Sequence, residues 1–371
     1  MEKNQLKIII SGGGTGGHIF PAISIANELV RQRPDINILF VGAEGRMEME
    51  KVPKAGYNIV GLPVVGFQRK LTLANLKFPF KLISSLLKAR KVVRNFKPNV
   101  AVGVGGYASG PILKAAQRVG IPTLLQEQNS YAGITNKLLA KQAKTICVAY
   151  EGMDKYFPAD KIILTGNPVR SDLENITVTK TEALSFFNIP SDKKVILVLG
   201  GSLGARTINQ SLIGNLELIR NAEDVVVIWQ TGKYYYNELK SKLDVEKVDN
   251  IRLNDFINQM NMAYAAADLV ISRAGAGTIS ELCLVAKPSI LIPSPNVAED
   301  HQTRNAEALS TKNAAIMVKD SDAVSTLINI ALATVRNSEK LNELKINIAK
   351  MALPNSAKII AEEVLKLADN K

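Results

Sequence analysis

Apolar residues in this chain occur in short β-branched runs, with stretches of helical spacing between them. Five such runs occupy residues 6–10, 36–41, 100–102, 123–125 and 162–164. Strands that alternate with helices in this way form a parallel sheet covered by helices on its faces. The first half of the chain is therefore predicted to be an α/β domain.

The same pattern begins again after the turn at 166–168, with apolar runs at 195–199, 225–229, 269–271 and 290–292. Both halves open alike, because segments 6–17 and 194–205 each place an apolar strand before a glycine-rich turn and a helix. We predict two Rossmann-like domains, 1–165 and 166–355. The last helix, 356–371, could belong to either half, and packing on the first half is one of the two possibilities.

Length and composition fit this prediction. The 371 residues are enough for two domains, and 46% hydrophobic with 22% charged residues is typical of a soluble α/β protein. The apolar segment near the start is too short for a signal peptide or a membrane span. Cys147 and Cys283 lie in apolar contexts without metal-ligand spacing, which indicates a reducing, cytosolic setting.

Positive charge is concentrated in one segment. The formal net charge is +12, and residues 67–97 hold nine of the 46 Lys and Arg but none of the 34 Asp and Glu. Large apolar residues are interleaved with these cations, a composition that favours docking on an anionic membrane surface. The predicted membrane patch comprises Phe67, Lys70, Leu71, Leu76, Lys77, Phe78, Phe80 and Lys81.

Two other interpretations of this segment are open. In the first, Leu82, Leu86 and Val93 pack one helix on the sheet while its cations stay solvated. Pro79 is expected to end that helical period and leave 71–80 as a loop. In the second, the segment binds nucleic acid, but it offers only four phenylalanines for base stacking. We therefore predict no nucleic-acid partner.

Four glycine-rich loops follow predicted strands: 12–18, 103–110, 200–206 and 273–281. A turn without side chains lets backbone N–H groups approach a phosphate, and the helix that follows adds the positive end of its dipole. Glycine in any single loop could instead serve only to tighten a strand-to-helix turn. Four such loops in two similar halves predict a cleft that handles phosphorylated ligands.

The first loop also fits the dinucleotide-binding fingerprint. Gly12, Gly14 and Gly17 have its spacing, and Glu44 follows the second predicted strand, where NAD enzymes place a ribose-binding acid. An NAD-dependent oxidoreductase is therefore an alternative. It explains neither the glycine loop at 200–206 nor the histidine that ends the first loop.

Two residues near these loops could carry chemistry. His18 ends the first loop and is either a general base or a helix-start residue that bonds to the backbone. If a helix begins at Thr278, Glu281 lies one turn in and could accept both ribose hydroxyls of a nucleotide. The alternative is a capping box between Thr278 and Glu281, which needs no ligand.

Seven segments, taken in order, cover nearly the whole chain and carry a resemblance that no single loop would. They are GGGTGGHIFPA (12–22), GVGGYASGP (103–111), EQNSYAGITNK (127–137), GNPVR (166–170), GGSLGAR (200–206), DFINQMNMAYAAADLVISRAGAGTISEL (255–282) and EDHQTRNA (299–306). On these segments the chain resembles the MurG family of transferases. Members of that family add N-acetylglucosamine to undecaprenyl-pyrophosphoryl-N-acetylmuramoyl-peptide (lipid I), which gives lipid II.

The resemblance implies a GT-B fold, in which two Rossmann-like domains with parallel sheets face each other across a cleft. The N-terminal domain would mainly meet the acceptor, and the C-terminal domain would mainly hold UDP-N-acetylglucosamine. His18 matches the family's proposed base. The implied donor-binding residues are Thr15, Gly16, Gly17, Asn129, Arg170, Ser202, Ile257, Ala276, Gly277, Thr278, Glu281 and Gln302, and the acceptor-side residues are Gly14, Gly105, Gly106 and Tyr107.

One position departs from the family pattern. The family often has paired glutamines beside the sugar, whereas this chain has His301 followed by Gln302. We therefore assign the sugar hydroxyls to Gln302 and assign no role to His301.

The chemistry implied is a single displacement that inverts the anomeric centre, with His18 as base and helix-terminal amides stabilising the departing UDP. We expect no cofactor and no protein-bound metal, because helix-terminal amides can hold a pyrophosphate alone. The expected partners are UDP-N-acetylglucosamine, lipid I and an anionic membrane surface. The protein is expected to be peripheral on the cytoplasmic side of the membrane. A GT-B enzyme with a different acceptor is the remaining alternative.

Overall fold

The structure is a computed structural model that describes residues 5–64, 78–174, 176–201, 203–297 and 300–369. Its internal contacts divide the chain into two compact units. Unit 1 comprises Met1–Arg170 and Pro354–Lys371, and unit 2 comprises Ser171–Leu353. The chain therefore leaves unit 1, builds unit 2 and returns to unit 1 for its last helix.

Unit 1 contains seven strands: β1 (Lys7–Ser11), β2 (Asn37–Ala43), β3 (Asn58–Leu62), β4 (Val100–Gly103), β5 (Thr123–Glu127), β6 (Thr145–Val148) and β7 (Ile162–Leu164). All pair in parallel, in the order β3-β2-β1-β4-β5-β6-β7. The helices of this part are α1 (Gly16–Gln32), α2 (Glu48–Lys54), α3 (Phe78–Phe96), α4 (Ser109–Arg118) and α5 (Ile134–Ala140). Two single 3-10 turns, Met153–Lys155 and Ala159–Lys161, precede β7.

Unit 2 contains six strands: β8 (Lys194–Leu199), β9 (Val225–Gln230), β10 (Ile251–Asn254), β11 (Leu269–Ser272), β12 (Ser289–Leu291) and β13 (Ile316–Met317). They are also parallel, in the order β10-β9-β8-β11-β12-β13. Its helices are α6 (Ser171–Glu174), α7 (Lys180–Phe186), α8 (Arg206–Ile213), α9 (Leu216–Arg220), α10 (Tyr236–Glu246), α11 (Met260–Ala266), α12 (Ala276–Leu284), α13 (His301–Ser310), α14 (Asp320–Arg336) and α15 (Ser338–Ala349).

Strand β1 has buried isoleucines on both faces because helices cover both faces of its sheet. Ile8 and Ile10 pack in one core with α1 and with the last helix, α16 (Ser356–Asp369). Ile9 points into the opposite core, with α4. Strand alternation thus explains why the three consecutive residues Ile8, Ile9 and Ile10 are all hydrophobic. The predicted pair of Rossmann-like domains is confirmed.

The four glycine loops follow β1, β4, β8 and β11, which are the central strand pairs of the two sheets. In each sheet the strand order reverses between those two strands. Ligand sites of open α/β sheets form outside the carboxyl ends of the strands at such a reversal. The topology therefore places all four loops where each unit can bind a ligand.

One prediction about local structure is wrong. Helix α3 begins at Phe78, so the backbone of 78–80 is helical and not part of a loop. Pro79 lies in the first turn, where its missing N–H would have no helical partner in any case. The remainder of the predicted loop, 71–77, lies outside the described residues.

Candidate active site

The first glycine loop of unit 1 is held by a buried carboxylate. The Gly14 amide donates to Glu48 Oε1 at 3.2 Å and to Oε2 at 3.0 Å, and the Ala43 amide donates to Oε1 at 2.9 Å. Glu48 is 0% exposed. A Cβ at Gly13 would lie 2.1 Å from Glu48 Oε1, so only glycine fits there. Sequence analysis did not identify Glu48.

His18 lies in the first turn of α1, with its ring folded back onto the loop. Its Nδ1 is 3.1 Å from the Gly13 carbonyl oxygen and 3.2 Å from Thr15 Oγ1. A carbonyl oxygen only accepts hydrogen bonds, so we assign the ring proton to Nδ1. The lone pair of the neutral ring is then on Nε2. The bond to the backbone expected for a helix-start residue is present, and it leaves Nε2 as the basic atom.

The second loop of unit 1 packs directly on the first. A Cβ at Gly105 would lie 2.7 Å from His18 Cδ2, and one at Gly106 would lie 2.4 Å from the Gly13 oxygen. Both glycines have positive φ, at 90° and 87°, so a side chain is excluded there by conformation and by space. Tyr107 follows and is 56% exposed. The structure thus places Gly105 against His18 and Gly106 against Gly13, next to Gly14.

A second buried carboxylate shapes the loop that follows β5. Glu127 Oε1 accepts from the Asn129 amide at 3.1 Å and from Asn129 Nδ2 at 3.3 Å. Its Oε2 accepts from the Gly133 amide at 3.0 Å and from Asn136 Nδ2 at 2.8 Å. The predicted donor residue Asn129 is therefore fixed by Glu127, which sequence analysis did not single out.

Buried amides connect this loop to the end of unit 1. Gln126 Nε2 donates to Asn167 Oδ1 at 2.9 Å, and Asn167 Nδ2 donates to the Gln128 carbonyl at 3.0 Å. Gln128 Nε2 donates to the Val104 carbonyl, in the second glycine loop, at 2.7 Å. Arg170 follows three residues after Asn167 and is exposed. The network thus fixes Asn167, three residues before Arg170.

In unit 2, the fourth glycine loop starts a helix with an open N-terminus. Helix α12 begins at Ala276, with Gly275 as the N-cap and no side-chain cap. Gly277 and Thr278 therefore lie in the first turn, and the capping box between Thr278 and Glu281 does not form. Glu281 is half-buried, and its Oε2 accepts from the Tyr264 hydroxyl at 2.9 Å.

The third glycine loop lies beside the segment that contains Ile257. Ser202 itself is outside the described residues. Gln230 Nε2 donates to the Gly201 carbonyl at 3.2 Å, and Gln230 Oε1 accepts from the Ile257 amide at 2.9 Å. Because its amide and its buried side chain are engaged, Ile257 can offer a ligand its carbonyl oxygen.

Gln302 lies in the first turn of α13 and is half-buried. Its Oε1 accepts from the Ser294 amide at 2.9 Å, which orients the side chain and leaves the Nε2 group as its donor toward a ligand. His301 begins the same helix and is also half-buried.

Arg273 lies at the start of the fourth loop and is tied down by an ion pair with Asp320. It also donates to the Ile292 carbonyl at 3.2 Å, and Thr207 donates to Asp320 at 3.0 Å. Asp320 belongs to the sequence Asp-Ser-Asp at 320–322, a spacing that can hold a metal. In this structure Asp320 instead binds Arg273 and Thr207. Among the described residues, no group of three or more His, Cys, Asp or Glu is arranged around a metal position.

The predicted membrane patch is described only in part. Phe67, Lys70, Leu71, Leu76 and Lys77 lie outside the described residues, as do the side chains of Phe78 and Phe80, whereas Lys81 is exposed. Along α3 the buried positions are Ser85, Ala89 and Val93, while Leu82, Ile83 and Leu87 are 41%, 56% and 58% exposed. The packing alternative is therefore wrong about Leu82, and correct about Val93. In the part of the chain that the structure describes, no helix is long and apolar enough to cross a membrane.

Two further predictions concern residues away from the loops. Cys147 and Cys283 are free and buried, and burial raises the pKa of Cys283 to about 12. Glu44, the ribose-binding acid of the NAD alternative, is exposed and pairs with Lys88 at 2.6 Å.

Two Rossmann-like units, each with glycine loops at the reversal of its strand order, are the architecture of the GT-B fold. Family comparison agrees: residues 8–148 match the N-terminal domain of glycosyltransferase family 28, and residues 195–360 match its C-terminal domain. The chain belongs to glycosyltransferase family 28 and, within it, to the MurG group of N-acetylglucosamine transferases.

Relatives match along the whole chain. The UDP-N-acetylglucosamine--N-acetylmuramyl-(pentapeptide) pyrophosphoryl-undecaprenol N-acetylglucosamine transferase of Bacteroides thetaiotaomicron is 62% identical, over 100% of this chain and 99% of the relative. The transferase of the same name from Bacteroides fragilis is 61% identical, over 99% and 97%. The crystal structure of Acinetobacter baumannii MurG is 28% identical, with a TM-score of 0.78 over 97% of this chain and 99% of that chain. The predicted family is confirmed, and the oxidoreductase alternative is not favoured.

Proposed function

We propose that this protein transfers N-acetylglucosamine from UDP-N-acetylglucosamine to lipid I, which gives lipid II for peptidoglycan synthesis. The observation that carries this proposal is the full-length match, at 62% identity, to a transferase named for that donor and that acceptor. The proposal assigns the acceptor to the glycine loops of unit 1 and the nucleotide mainly to the glycine loops of unit 2.

His18 acts as the general base in this proposal. The assigned tautomer supports the role, because Nδ1 is committed to the Gly13 carbonyl and Nε2 is left to accept a proton. The acceptor hydroxyl gives its proton to Nε2 as its oxygen bonds to the anomeric carbon. The bond from that carbon to the UDP oxygen breaks, and UDP leaves with the electron pair. One displacement inverts the anomeric centre.

Unit 2 offers matching groups for the donor. The uncapped first turn of α12 presents backbone amides and the positive end of the helix dipole, which suits a pyrophosphate. Glu281, oriented by Tyr264, is assigned to the ribose hydroxyls, and Gln302 to the sugar hydroxyls. Thr15, Gly16, Gly17, Asn129, Arg170, Ser202 and Ile257 complete the proposed donor set.

We assign the protein to the cytoplasmic side of the cell membrane, as a peripheral protein. The exposed Ile83 and Leu87 on α3, beside exposed cations such as Lys81, support interfacial binding through this part of unit 1. Such docking would bring the loops around His18 to a lipid-linked acceptor.

The reaction is tested by incubating the protein with labelled UDP-N-acetylglucosamine and a short-chain lipid I analogue. Label should appear in the lipid product with inverted anomeric configuration. A parallel reaction with the lipid acceptor omitted measures hydrolysis. Label released only as free sugar, or no reaction in either mixture, would contradict the proposed function.

Docking is tested with a triple variant in which Lys70, Lys77 and Lys81 are replaced by Glu. Each cation near an anionic surface contributes about 1 kcal/mol, so the variant should lose most of its binding to acidic vesicles. It should keep activity on a water-soluble acceptor analogue. A matched control reverses Lys240, Lys345 and Lys350, which are exposed in unit 2. If both triple variants sediment with vesicles as the parent does, the docking role is wrong.

A further inference from the structure

One peptide group connects the buried carboxylate of Glu48 to the ring of His18. The Gly13 carbonyl and the Gly14 N–H belong to the same peptide bond. Its N–H donates to Glu48 at 3.0 Å, and its oxygen lies 3.1 Å from His18 Nδ1. The contacts therefore form a chain from carboxylate to peptide to imidazole.

The donors and acceptors in this series of hydrogen bonds all point in the same direction, from the imidazole to the carboxylate. Glu48 receives N–H groups from Gly14 and Ala43, and an ionised carboxylate is the strongest acceptor for such donors. A peptide whose N–H faces a negative charge becomes a better acceptor at its oxygen, since hydrogen bonds in series polarise one another. The Gly13 oxygen is thus a strengthened acceptor for a proton on Nδ1. The opposite tautomer would turn the Nδ1 lone pair toward the Gly13 oxygen.

Two glycines make room for this carboxylate. A Cβ at Gly42 would lie 2.5 Å from Glu48 Cγ, and a Cβ at Gly13 would lie 2.1 Å from Oε1. Side chains at either position would expel Glu48 from under the loop. The site is therefore shaped around a charge that cannot reach any substrate, because Glu48 is 0% exposed.

We propose that Glu48 is a positioning residue that acts on His18 through the 13–14 peptide. It fixes and polarises that peptide, and the peptide holds His18 as the Nδ1–H tautomer with Nε2 ready to accept a proton. Glu48 is buried, so it acts only through this peptide and does not contact the substrate. The inference rests on the proposed role of His18 as base, and it parallels the way an acid orients the histidine of a catalytic triad, with a peptide interposed.

The tautomer is measured directly by NMR of protein labelled with ¹⁵N in its histidine rings. The chain has two histidines, so His18→Gln assigns the signals and His301 is an internal reference. The parent should show His18 with a protonated Nδ1 and an unprotonated Nε2. In Glu48→Gln the Nδ1–H population of His18 should fall while His301 is unchanged. An unaltered His18 tautomer in that variant would overturn the proposal.

Kinetics supply the second readout. Glu48→Gln should lower kcat about tenfold or more, with the KM for UDP-N-acetylglucosamine within about twofold, because the change acts on the base and not on the donor. Glu48→Asp, which keeps the charge, should recover part of the loss. Glu50→Gln is the matched control, since Glu50 is exposed on the same helix and pairs with Lys54. Equal kcat values for Glu48→Gln and Glu50→Gln would refute the positioning role.

A third measurement needs no change at Glu48 and covers the case in which its variants fail to fold. In the parent, the amide signal of Gly14 should move as His18 is protonated, and this movement should be absent in His18→Gln. A Gly14 amide signal whose chemical shift does not change when His18 is protonated would overturn the proposal. Failure of the proposed function is distinguishable, because full activity of His18→Gln would remove His18 as the base whatever its tautomer.

Discussion

The two helix starts on which the proposed chemistry depends differ in what occupies their loops. At α1 the loop amide of Gly14 is already bonded to Glu48, and a Cβ at Gly13 would strike that carboxylate at 2.1 Å. At α12, apart from the backbone of the helix itself and the two neighbours of Gly277, no atom of the described residues lies within 4 Å of a Cβ at Gly277, and no described side chain caps the helix. Glycine at the first start serves the protein's own packing. Glycine at the second leaves space beside the first turn for a ligand.

The difference teaches that one sequence pattern has two uses in this chain. A buried carboxylate beneath a loop disfavours a second anion there, so the first loop is suited to orienting a base and poorly suited to cradling phosphate. The open turn of α12 favours an anion. Changes at Gly13 and His18 should therefore affect folding or turnover, and changes at the start of α12 should affect donor affinity.

The largest expected effect comes from His18→Ala. Loss of a general base costs about a hundredfold to ten-thousandfold in rate. Turnover should fall by that factor, while the calorimetric affinity for UDP stays within about twofold of the parent. Turnover near the parent's value would remove His18 from the mechanism, and a comparable loss of UDP affinity would erase the contrast between the two helix starts.

A smaller effect is expected for Glu281→Gln, which removes the charge but keeps an oxygen to accept the Tyr264 hydroxyl. Hydrogen bonds to a charged group are worth about 1.5–3 kcal/mol, so UDP affinity should fall about tenfold to a hundredfold. The melting temperature should not change. Glu217→Gln, an exposed carboxylate of the same unit, is the control. A lower melting temperature with intact UDP binding would assign Glu281 a structural role only.

Two glycine-to-alanine changes test the comparison itself. Gly13→Ala should lower the free energy of unfolding by about 1–3 kcal/mol, as overpacking does. Gly277→Ala should leave it unchanged or raise it by about 0.5–1 kcal/mol, because alanine favours a helix, while UDP binding weakens. Urea denaturation and calorimetry on the pair measure both quantities. Equal destabilisation by the two changes would show that the fourth glycine loop, which contains Gly277, is also built around internal packing.

The smallest effect concerns the charge of a lysine in unit 2, at the amino-terminal end of a strand, whereas the glycine loops follow the carboxyl ends of strands. Lys287 precedes β12, donates to the Ala267 carbonyl at 2.8 Å, and has its pKa lowered by burial from 10.5 to about 8. The unfolded chain keeps this proton up to higher pH, so the residue destabilises the fold below about pH 8, and that cost disappears as pH rises toward 10.5.

Lys287→Met should therefore be more stable than the parent at pH 7 by about 1 kcal/mol, the lost hydrogen bond offsetting part of the gain. The gap should close between pH 8 and 10. Urea titrations at pH 7 and pH 9.5 measure it, with UDP affinity as the control. A gap that is constant with pH would show that the charge of Lys287 is not the cause.

The sequence predicts the elements whose signal is local. The runs before the glycine loops are readable because buried central strands are continuously apolar. The strands that were not predicted are β3, β6, β10 and β13. Strands β3, β10 and β13 lie at the edges of their sheets, and β13 has only the two residues Ile316–Met317. Strand β6 is four residues long and lies between β5 and β7.

Site residues divide in the same way. His18, Glu281 and the glycines follow from motif and resemblance. Glu48 does not, because Glu44, Glu48 and Glu50 look alike in sequence, and only the space left by Gly13 and Gly42 decides which of them turns inward. Helix α12 begins at Ala276, two residues before the start at Thr278 that the sequence suggests, since glycine and alanine give a weaker N-terminal signal than threonine.

The return of the chain to unit 1 has a consequence for its synthesis on the ribosome. Ile360, Ala361 and Val364 of α16 complete the core that contains Ile8 and Ile10. A ribosome delivers all of Ser171–Leu353 before it delivers α16. Domains usually fold in the order in which they are made. Here the nascent first unit must wait with one apolar face uncovered until the second has emerged, so a chaperone that shields nascent chains would find its longest-lived target at the amino-terminal end.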